Sequence, residues 1–587
     1  MENNNELFKG YHEVWPIENL KYFIEEATRK WPENNAFLVK EVKGGEYKGI
    51  TYTEFLDDVN ALGTKLINLG LKDKKIAVMG ENCYDWVVAY FAVINGTGVV
   101  VPMDKDLSTE EIQVLLKAAD CDAVFYTTNC AEKLEGLDIK YGFEMEMYES
   151  KRRADNEKCI RKAIDEGKKL IEAGDRRFLD AEIDNQIMAS LIFTSGTTGN
   201  PKGVMLSHFN LCANIMDTAR MFLLNEKDVN LTILPMNHTF GSTIGFMAFL
   251  YRGGSVAIFE GLKYITKNLA ESKTTFLIGV PLIFESVHAK IWKTAKKEGK
   301  ESLLKNAIKV NRKLKHIGID LSGKLFKSVH DSLGGHLRVM LCGGAALDPA
   351  IGRDFLDFGY LYRQGYGLTE CCPLVSGLPD FKEGGYKKAG SCGPALPEGE
   401  FKIENPDENG IGDIYYRGPN VMLGYYNMPE ETAEVLDGEG WYKTGDLGFL
   451  DPDGCIYLTG RKKNVIVTKT GKNIYPEEIE GYVMKIPYVN ECMVYGTDSE
   501  DGLDTIVSVQ VKPDMEALTE LLGDNPADEA VYKLIRGEIA EMNMGLPNWK
   551  RIRSVTIKKG DFIKTSTKKI KRSDNMNLLP EEQTLEV

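Results

Sequence analysis

SLIFTSGTTGNPKG, running from Ser190 to Gly203, is the stretch on which the reading of this 587-residue chain turns. A short apolar run, Ser190–Phe193, passes into a loop of small hydroxyl residues with three glycines and closes on Lys202 and Gly203. Glycine lets backbone N–H groups converge on an anion, threonine and serine hydroxyls add donors, and a lysine adds positive charge. The segment therefore predicts a buried strand that feeds a polyphosphate-binding loop. It is not the G-x-x-x-x-G-K-[ST] loop. Counted from Gly196, the second glycine position holds Pro201 and the hydroxyl position holds Gly203.

Towards the N-terminus the pattern alternates. Phe55–Leu69 has helical spacing, and KIAVMG (Lys75–Gly80) reads as a buried strand and turn. VVAYFAVINGTGVVVP gives a helix, a glycine break and a strand at Val99–Val101, and Ala123–Thr128 is another strand. This rhythm predicts an α/β fold with parallel or mixed sheets covered by helices. Ile139–Asp184 is dense in charge and reads as a mostly helical surface excursion. Gly393–Leu458 is β-rich, with a turn at Pro452–Gly454, and a smaller α/β unit begins after Arg461. The expected organisation is a large multi-layer domain over 1–460 that includes the β-rich part, a hinge at 461–465, a small C-terminal α/β domain over 466–572, and a tail over 573–587.

Bulk properties exclude several classes. Hydrophobic residues at 43% and charged residues at 27% are ordinary for a soluble globular protein. A net charge of −15 argues against nucleic-acid binding. The eleven cysteines form no Cys-x-x-Cys pair, and adjacent Cys371 and Cys372 are poorly placed to bridge each other. That argues against a disulfide framework or zinc site and for a reducing, cytoplasmic setting. The start, MENNNELFKGYHEVW, lacks the basic and apolar stretches of a secretory signal. The apolar window Trp86–Pro102 is interrupted by Asn95, Gly96 and Gly98 and falls short of the ~20 residues a membrane span needs.

Thr194–Gly203, T-S-G-T-T-G-x-P-K-G, resembles the signature loop of the adenylate-forming (AMP-binding) superfamily, which includes acyl-CoA synthetases, luciferases and peptide-synthetase adenylation domains. The resemblance continues in order from about Trp31 to Arg572. LPMNHTFG (Leu234–Gly241) is similar to the substrate-side segment, LCGGAAL (Leu341–Leu347) to the glycine strand beside adenine, and QGYGLTE (Gln364–Glu370) to the adenine and magnesium motif. YKTGDLG (Tyr442–Gly448) resembles the ribose motif, Gly460–Glu480 the hinge and the start of a mobile C-terminal domain, and KTSTKKIKR (Lys564–Arg572) the terminal lysine motif.

The resemblance implies ATP, Mg2+ and coenzyme A as co-substrates or cofactor, and a role for each matching residue. Thr194, Ser195, Gly196, Thr197, Thr198, Gly199 and Lys202 would hold phosphate, with Gly343, Gly344, Ala345, Tyr366 and Gly367 around adenine. Glu370, with Thr194, would carry magnesium, and Thr369 would donate to the α-phosphate. Asp446 would accept both ribose hydroxyls, since an ionised carboxylate offers two oxygens and no donor. Arg461 would add a donor, and Lys463 would sit at the hinge. Lys569 takes the catalytic position, although the glycine usual before it is Lys568 here, and Lys568 itself is the alternative.

His238 is placed by the resemblance near the substrate carboxylate. Gly241, Ser242, Gly245 and Gly279 are read as leaving volume for a long acyl chain, lined by Phe240, Phe246 and Ile278. The expected reaction activates a medium- to long-chain fatty acid as acyl-AMP and passes it to coenzyme A. Loading of an acyl carrier protein and a non-catalytic acyl or AMP sensor are the alternatives. Lys290–Lys327 holds twelve basic residues against three acidic ones. It reads either as a solvated helical hairpin or as a docking surface for an anionic membrane or for coenzyme A phosphates. Chain length of the acid and oligomeric state stay open.

Overall fold

The computed structural model describes residues 11–137, 139–151, 156–194, 201–315, 317–379, 386–468, 472–499, 505–565, 569–578 and 585–586. The chain divides into two compact units that interleave in sequence. The first runs to Phe401 and adds Tyr416–Tyr442 and Pro452–Ile456; the second takes Lys402–Tyr415, Lys443–Asp451 and the chain from Tyr457 onward.

Two large sheets build the first unit. One has seven strands in the order Gly424–Tyr425, Lys202–Ser207, Met188–Thr194, Gly98–Met103, Lys74–Met79, Ala123–Thr127 and Tyr141–Met145. From Met188–Thr194 to Tyr141–Met145 neighbouring strands are parallel, while the Lys202–Ser207 strand turns back antiparallel. The other has eight strands, and its centre, Leu361–Gly367, Val339–Cys342, Phe276–Gly279, Val229–Leu231, Ser255–Ala257 and Asn35–Lys40, is parallel throughout. Strands covered on both faces need apolar residues at consecutive positions. Ile76–Met79 and Val339–Cys342 satisfy that by being wholly buried.

The expected mixed α/β architecture is what the chain adopts. The helix anticipated at Phe55–Leu69 spans Tyr52–Asn68, because Thr51 and Glu54 form a reciprocal capping box that starts it earlier. The excursion expected over 139–184 is a correction. Tyr141–Met145 is a sheet strand, with Phe143 stacked on Phe125 at 4.7 Å. Helix Ile160–Glu172 packs so closely on Tyr52–Asn68 that a Cβ on Gly167 would lie 1.8 Å from the Ala61 carbonyl oxygen. Its charges hid an apolar stripe, Ile160, Ala163, Ile164 and Gly167, all on one helical face. The basic segment forms the helices Pro281–Lys297 and Glu301–Lys315, which rest on the core through Phe284, Ile291 and Ile308.

The β-rich region forms a four-stranded sheet of Glu400–Glu404, Gly412–Arg417, Tyr442–Leu450 and Ile456–Arg461. Gly454 in the expected turn has φ +76°, a value only glycine adopts at little cost. In the second unit, strands Val489–Asp498, Thr505–Pro513, Ile552–Ile557 and Leu585–Glu586 form another sheet. Helices Pro476–Val483 and Asp528–Met544 cover it, burying Ile479, Val483, Ile535 and Ile539.

Candidate active site

In the first unit the phosphate-loop segment is anchored by strand pairing. Met188–Thr194 pairs antiparallel with Lys202–Ser207 in a register that sets Thr194 opposite Lys202. Thr194 Oγ1 donates to the Lys202 carbonyl at 3.4 Å. Ser195, Gly196, Thr197, Thr198 and Gly199 lie outside the described residues.

The two-residue strand Gly424–Tyr425 adds to the far edge of Lys202–Ser207, pairing Tyr425 with Val204. This brings the Tyr425 ring to 4.7 Å from Lys202 Nζ. The Tyr425 hydroxyl donates to Glu370 Oε1 at 3.0 Å, and the Met422 N–H donates to the Glu370 carbonyl at 2.8 Å. Burial, and then the Glu370 charge, push the Tyr425 phenol well up, so its proton stays in place. Lys202 and Glu370 are thus linked by a residue the sequence reading missed. Tyr425 belongs to none of the quoted motifs, and only the pairing of its short strand reveals it.

The chain turns directly after strand Val339–Cys342. The Gly343 N–H donates to the Gly279 carbonyl at 3.1 Å, and Gly344 takes φ +84°. Gly344 and Ala345 are exposed immediately beyond strand Val339–Cys342, at the carboxyl end of a parallel strand. Open α/β sheets bind ligands at such ends. The neighbouring strand Leu361–Gly367 carries Tyr366, only 6% exposed and stacked on Phe401 with ring centroids 6.4 Å apart. One helical turn, Thr369–Cys371, then holds Thr369 and Glu370 half-buried. Gly367 is tightly constrained, since a Cβ there would lie 2.3 Å from the Pro373 carbonyl oxygen.

His238 lies just ahead of a π-helical segment, Phe240–Met247, and its carbonyl accepts from the Ser242 N–H at 2.9 Å. π-Helical turns are frequent at functional sites. The Phe240 ring closes on the turn after strand Val339–Cys342, so a Cβ on Gly343 would meet its Cζ at 2.8 Å. The open acyl channel expected here needs correction at two positions. A Cβ on Gly241 would lie 2.0 Å from the Pro235 carbonyl oxygen, so that glycine permits a close backbone approach rather than leaving space. Phe246 is fully buried against Trp86, Tyr90 and Phe91, in edge-to-face contacts of 6.2–6.3 Å. Gly245 does have room, its nearest neighbour being 3.6 Å away.

The second unit gathers four of the expected residues. Asp446, 6% exposed, receives Arg461 Nε at 2.9 Å, and its own N–H donates to Thr444 Oγ1 at 3.1 Å. Lys463 is depressed by burial and then by Arg461, with Asp446 opposing. Lys569 is lowered to about 8 by burial and then by Arg461, again with Asp446 opposing. Its residue surface is exposed, which tempers the share owed to burial.

Lys569 sits on a short hairpin. The Thr565 N–H donates to the Lys569 carbonyl at 2.8 Å, and the Lys569 N–H returns to Thr565 Oγ1 at 3.1 Å. Both ends of the hairpin are pinned. Lys564 pairs with Glu491, and Asn575 brackets Ile563 through its N–H at 3.0 Å and its carbonyl at 2.9 Å. Arg572 donates to Glu480 Oε1 and Oε2 at 2.6 and 2.7 Å and to the Val494 carbonyl at 2.7 Å. Lys568 lies outside the described residues.

Among the described residues no group of three or more His, Cys, Asp or Glu side chains is assembled for a metal. The chemistry of Glu370 fits magnesium nonetheless. Tyr425 takes one carboxylate oxygen, leaving a hard oxygen ligand on the other. Magnesium commonly needs one or two carboxylates, filling its remaining positions with water and substrate phosphate.

A protein-family model described as "AMP-binding enzyme" matches residues 24–426. The chain is 28% identical over 496 residues to "Long chain acyl-CoA synthetase 6, peroxisomal" of Arabidopsis thaliana, covering 79% of this chain and 69% of that protein. It is 28% identical over 520 residues to "Fatty acyl-CoA synthetase A" of Dictyostelium discoideum, covering 82% and 74%. Among solved structures it is similar to o-succinylbenzoate CoA synthetase of Bacillus subtilis in complex with an acyl-adenylate intermediate. There the TM-score is 0.71 at 20% identity, over 96% of this chain and 99% of that one.

Proposed function

The chain belongs to the AMP-binding enzyme family, and on that premise we propose that it is an acid–thiol ligase that activates a medium- to long-chain fatty acid with ATP and transfers the acyl group to coenzyme A. The observation that carries this reading is the junction of Lys202 and Glu370 through Tyr425, with Thr194 bonded to Lys202. It sets a cation and a metal-competent carboxylate beside the strands that flank a glycine-rich loop. The acyl class is supported by the relatives named as long-chain or fatty acyl-CoA synthetases.

A carboxylate is a poor acyl donor because oxide is a poor leaving group. Attack of the acid oxygen on the α-phosphorus of ATP expels pyrophosphate and leaves a mixed anhydride. The coenzyme A sulfur then attacks the acyl carbon and expels AMP. Both reactants of the first step are anions, so the site must offset charge, and such transfers depend mainly on positioning and electrostatics. Magnesium, when bound, neutralises phosphate charge. Glu370 would hold it with Thr194 nearby, Lys202 would offset polyphosphate charge, and Thr369 would donate to the α-phosphate. Gly343, Gly344, Ala345, Tyr366 and Gly367 serve adenine, and His238 serves the acid. Asp446 and Arg461 would serve ribose, and Lys569 would be the cation of the first step.

Pyrophosphate release, followed across a series of fatty acids and aryl acids and then with coenzyme A added, tests the proposal. Release that depends on medium- or long-chain acids, with acyl-CoA formed only when coenzyme A is present, is the expected result. Release with aryl or short acids alone would refute the acyl class, and acyl-AMP that never reaches the thiol would refute the acceptor.

A further inference from the structure

We propose that the outer face of helix Glu301–Lys315 docks this protein on an anionic lipid bilayer. The rotation of that helix is fixed from beneath. Ile308 and Asn311 are buried, and Leu304 and Ala307 pack against the core. Asn311 Oδ1 accepts the Leu321 N–H at 3.0 Å, and Arg312 pairs with Asp357 at 2.5 Å. The remaining arc of the helix is therefore held outward.

That outward face is apolar along a single line. Leu303 is 66% exposed, Val310 51% and Ile317 70%. Their spacing of seven residues stacks them on one side of a helix of 3.6 residues per turn. Ile317 belongs to the helix end. The Gly318 N–H donates to the Lys315 carbonyl and the Ile319 N–H to the Leu314 carbonyl, both at 3.0 Å, with Gly318 at φ +79°. This glycine stop carries Ile317 on in register with the stripe.

Lys309 and Lys313 lie along the exposed side of the stripe. Both are exposed, and neither makes an ion pair among the described residues. Lys305 and Arg312, by contrast, are committed to Glu301 and Asp357. The surrounding segment holds twelve basic and three acidic residues in a chain of net charge −15. An anionic bilayer would thus oppose the net charge of the chain while attracting this face. Lysines beside exposed aliphatic side chains suit a headgroup layer, where the charges meet lipid phosphate and the methyls enter the acyl boundary. A second copy of this face is disfavoured, because it would oppose lysine to lysine. Among the described residues no helix is long and apolar enough to cross a membrane, so the contact is peripheral.

The test is flotation of the full chain with phosphatidylglycerol–phosphatidylcholine vesicles and with phosphatidylcholine alone, without ATP or acid, so it is independent of the proposed activity. The parent should float with the anionic vesicles only, and salt should weaken the binding. Each lysine near such a surface is worth about fivefold in partition, so Lys309→Glu with Lys313→Glu should lower it at least ~25-fold. Leu303→Ser with Ile317→Ser should remove the part of the binding that survives salt. Thermal unfolding identifies a variant that has lost its fold, and Lys309→Gln with Lys313→Gln then serves as the milder charge pair. Equal flotation with neutral lipid, or unchanged partition in a folded charge variant, would overturn the proposal. A parent dimer in light scattering that these substitutions split would overturn it in favour of self-association.

Discussion

The Tyr425 hydroxyl donates to Glu370 Oε1 at 3.0 Å while its ring lies 4.7 Å from Lys202 Nζ. One side chain thereby sets the spacing between the proposed metal carboxylate and the cation beside the phosphate loop. Tyr425→Phe keeps the ring and removes only the donor. A hydrogen bond to a charged acceptor contributes roughly 1.5–3 kcal/mol. We expect the Mg2+ concentration for half-maximal pyrophosphate exchange to rise about tenfold or more, with the fold intact. An unchanged magnesium dependence would show that Tyr425 only packs.

Asp446 is nearly covered and already engaged by Arg461. A ribose contact forms about equally in ground and transition states, which is the signature of uniform binding. Asp446→Ala should therefore raise the KM for ATP by about tenfold and change kcat much less. Steady-state kinetics at saturating acid decide it: a fall in kcat at constant KM contradicts the ribose role.

Much of this was legible beforehand, for identifiable reasons. The runs Ile76–Met79 and Val100–Met103 announce their strands because both faces are covered, so apolar residues follow one another without interruption. Asp446, Arg461 and Lys569 stand in contiguous motifs, and the structure gathers them through their mutual charge interactions. Tyr425 was invisible because its importance arises from strand pairing with Lys202–Ser207, a contact that no local pattern encodes. Gly241 misled for the opposite reason. A glycine reads equally as empty space or as a close backbone approach, and only the Pro235 carbonyl 2.0 Å from a notional Cβ distinguishes them.

The Glu480–Arg572 fork, with side chains 18% and 23% exposed, ties the end of the Lys569 hairpin to the body of the second unit. Arg572→Met leaves a largely covered carboxylate without its partner and should cost about 3 kcal/mol. Adding Glu480→Gln should restore part of the loss, because a neutral amide tolerates the site better. Burial already raises the Glu480 carboxyl, and Arg572 is the leading influence that lowers it. Without Arg572 the folded value climbs further above the unfolded one, so the native state then binds more protons. Stability of the single variant should accordingly fall as pH rises from the ordinary glutamate range, and acid should narrow its deficit. Thermal unfolding across pH measures this. A deficit independent of both pH and Glu480→Gln would place the loss elsewhere.

Lys569 provides the sharpest test of the proposed chemistry, because charge and step can be separated. Its ammonium is lowered to about 8 by burial and by Arg461, against the opposing pull of Asp446. The cation is the form needed when carboxylate and α-phosphate meet, so raising pH through about 8 removes the proton and the charge together. The kcat/KM for adenylate formation, which reports the free enzyme, should therefore fall on the alkaline side near that value. Asp446→Asn removes the carboxylate that favours the cation, so the fall should move to lower pH. Lys569→Arg should abolish the alkaline limb even if it lowers the plateau, since a guanidinium stays charged. Lys569→Ala should reduce adenylate formation by ~10² or more at every pH. Thioester formation from supplied acyl-adenylate and coenzyme A should be largely spared, because the α-phosphate has already been attacked. Equal damage to both half-reactions, or an alkaline limb that persists in Lys569→Arg, would remove Lys569 from the catalytic role and return attention to Lys568.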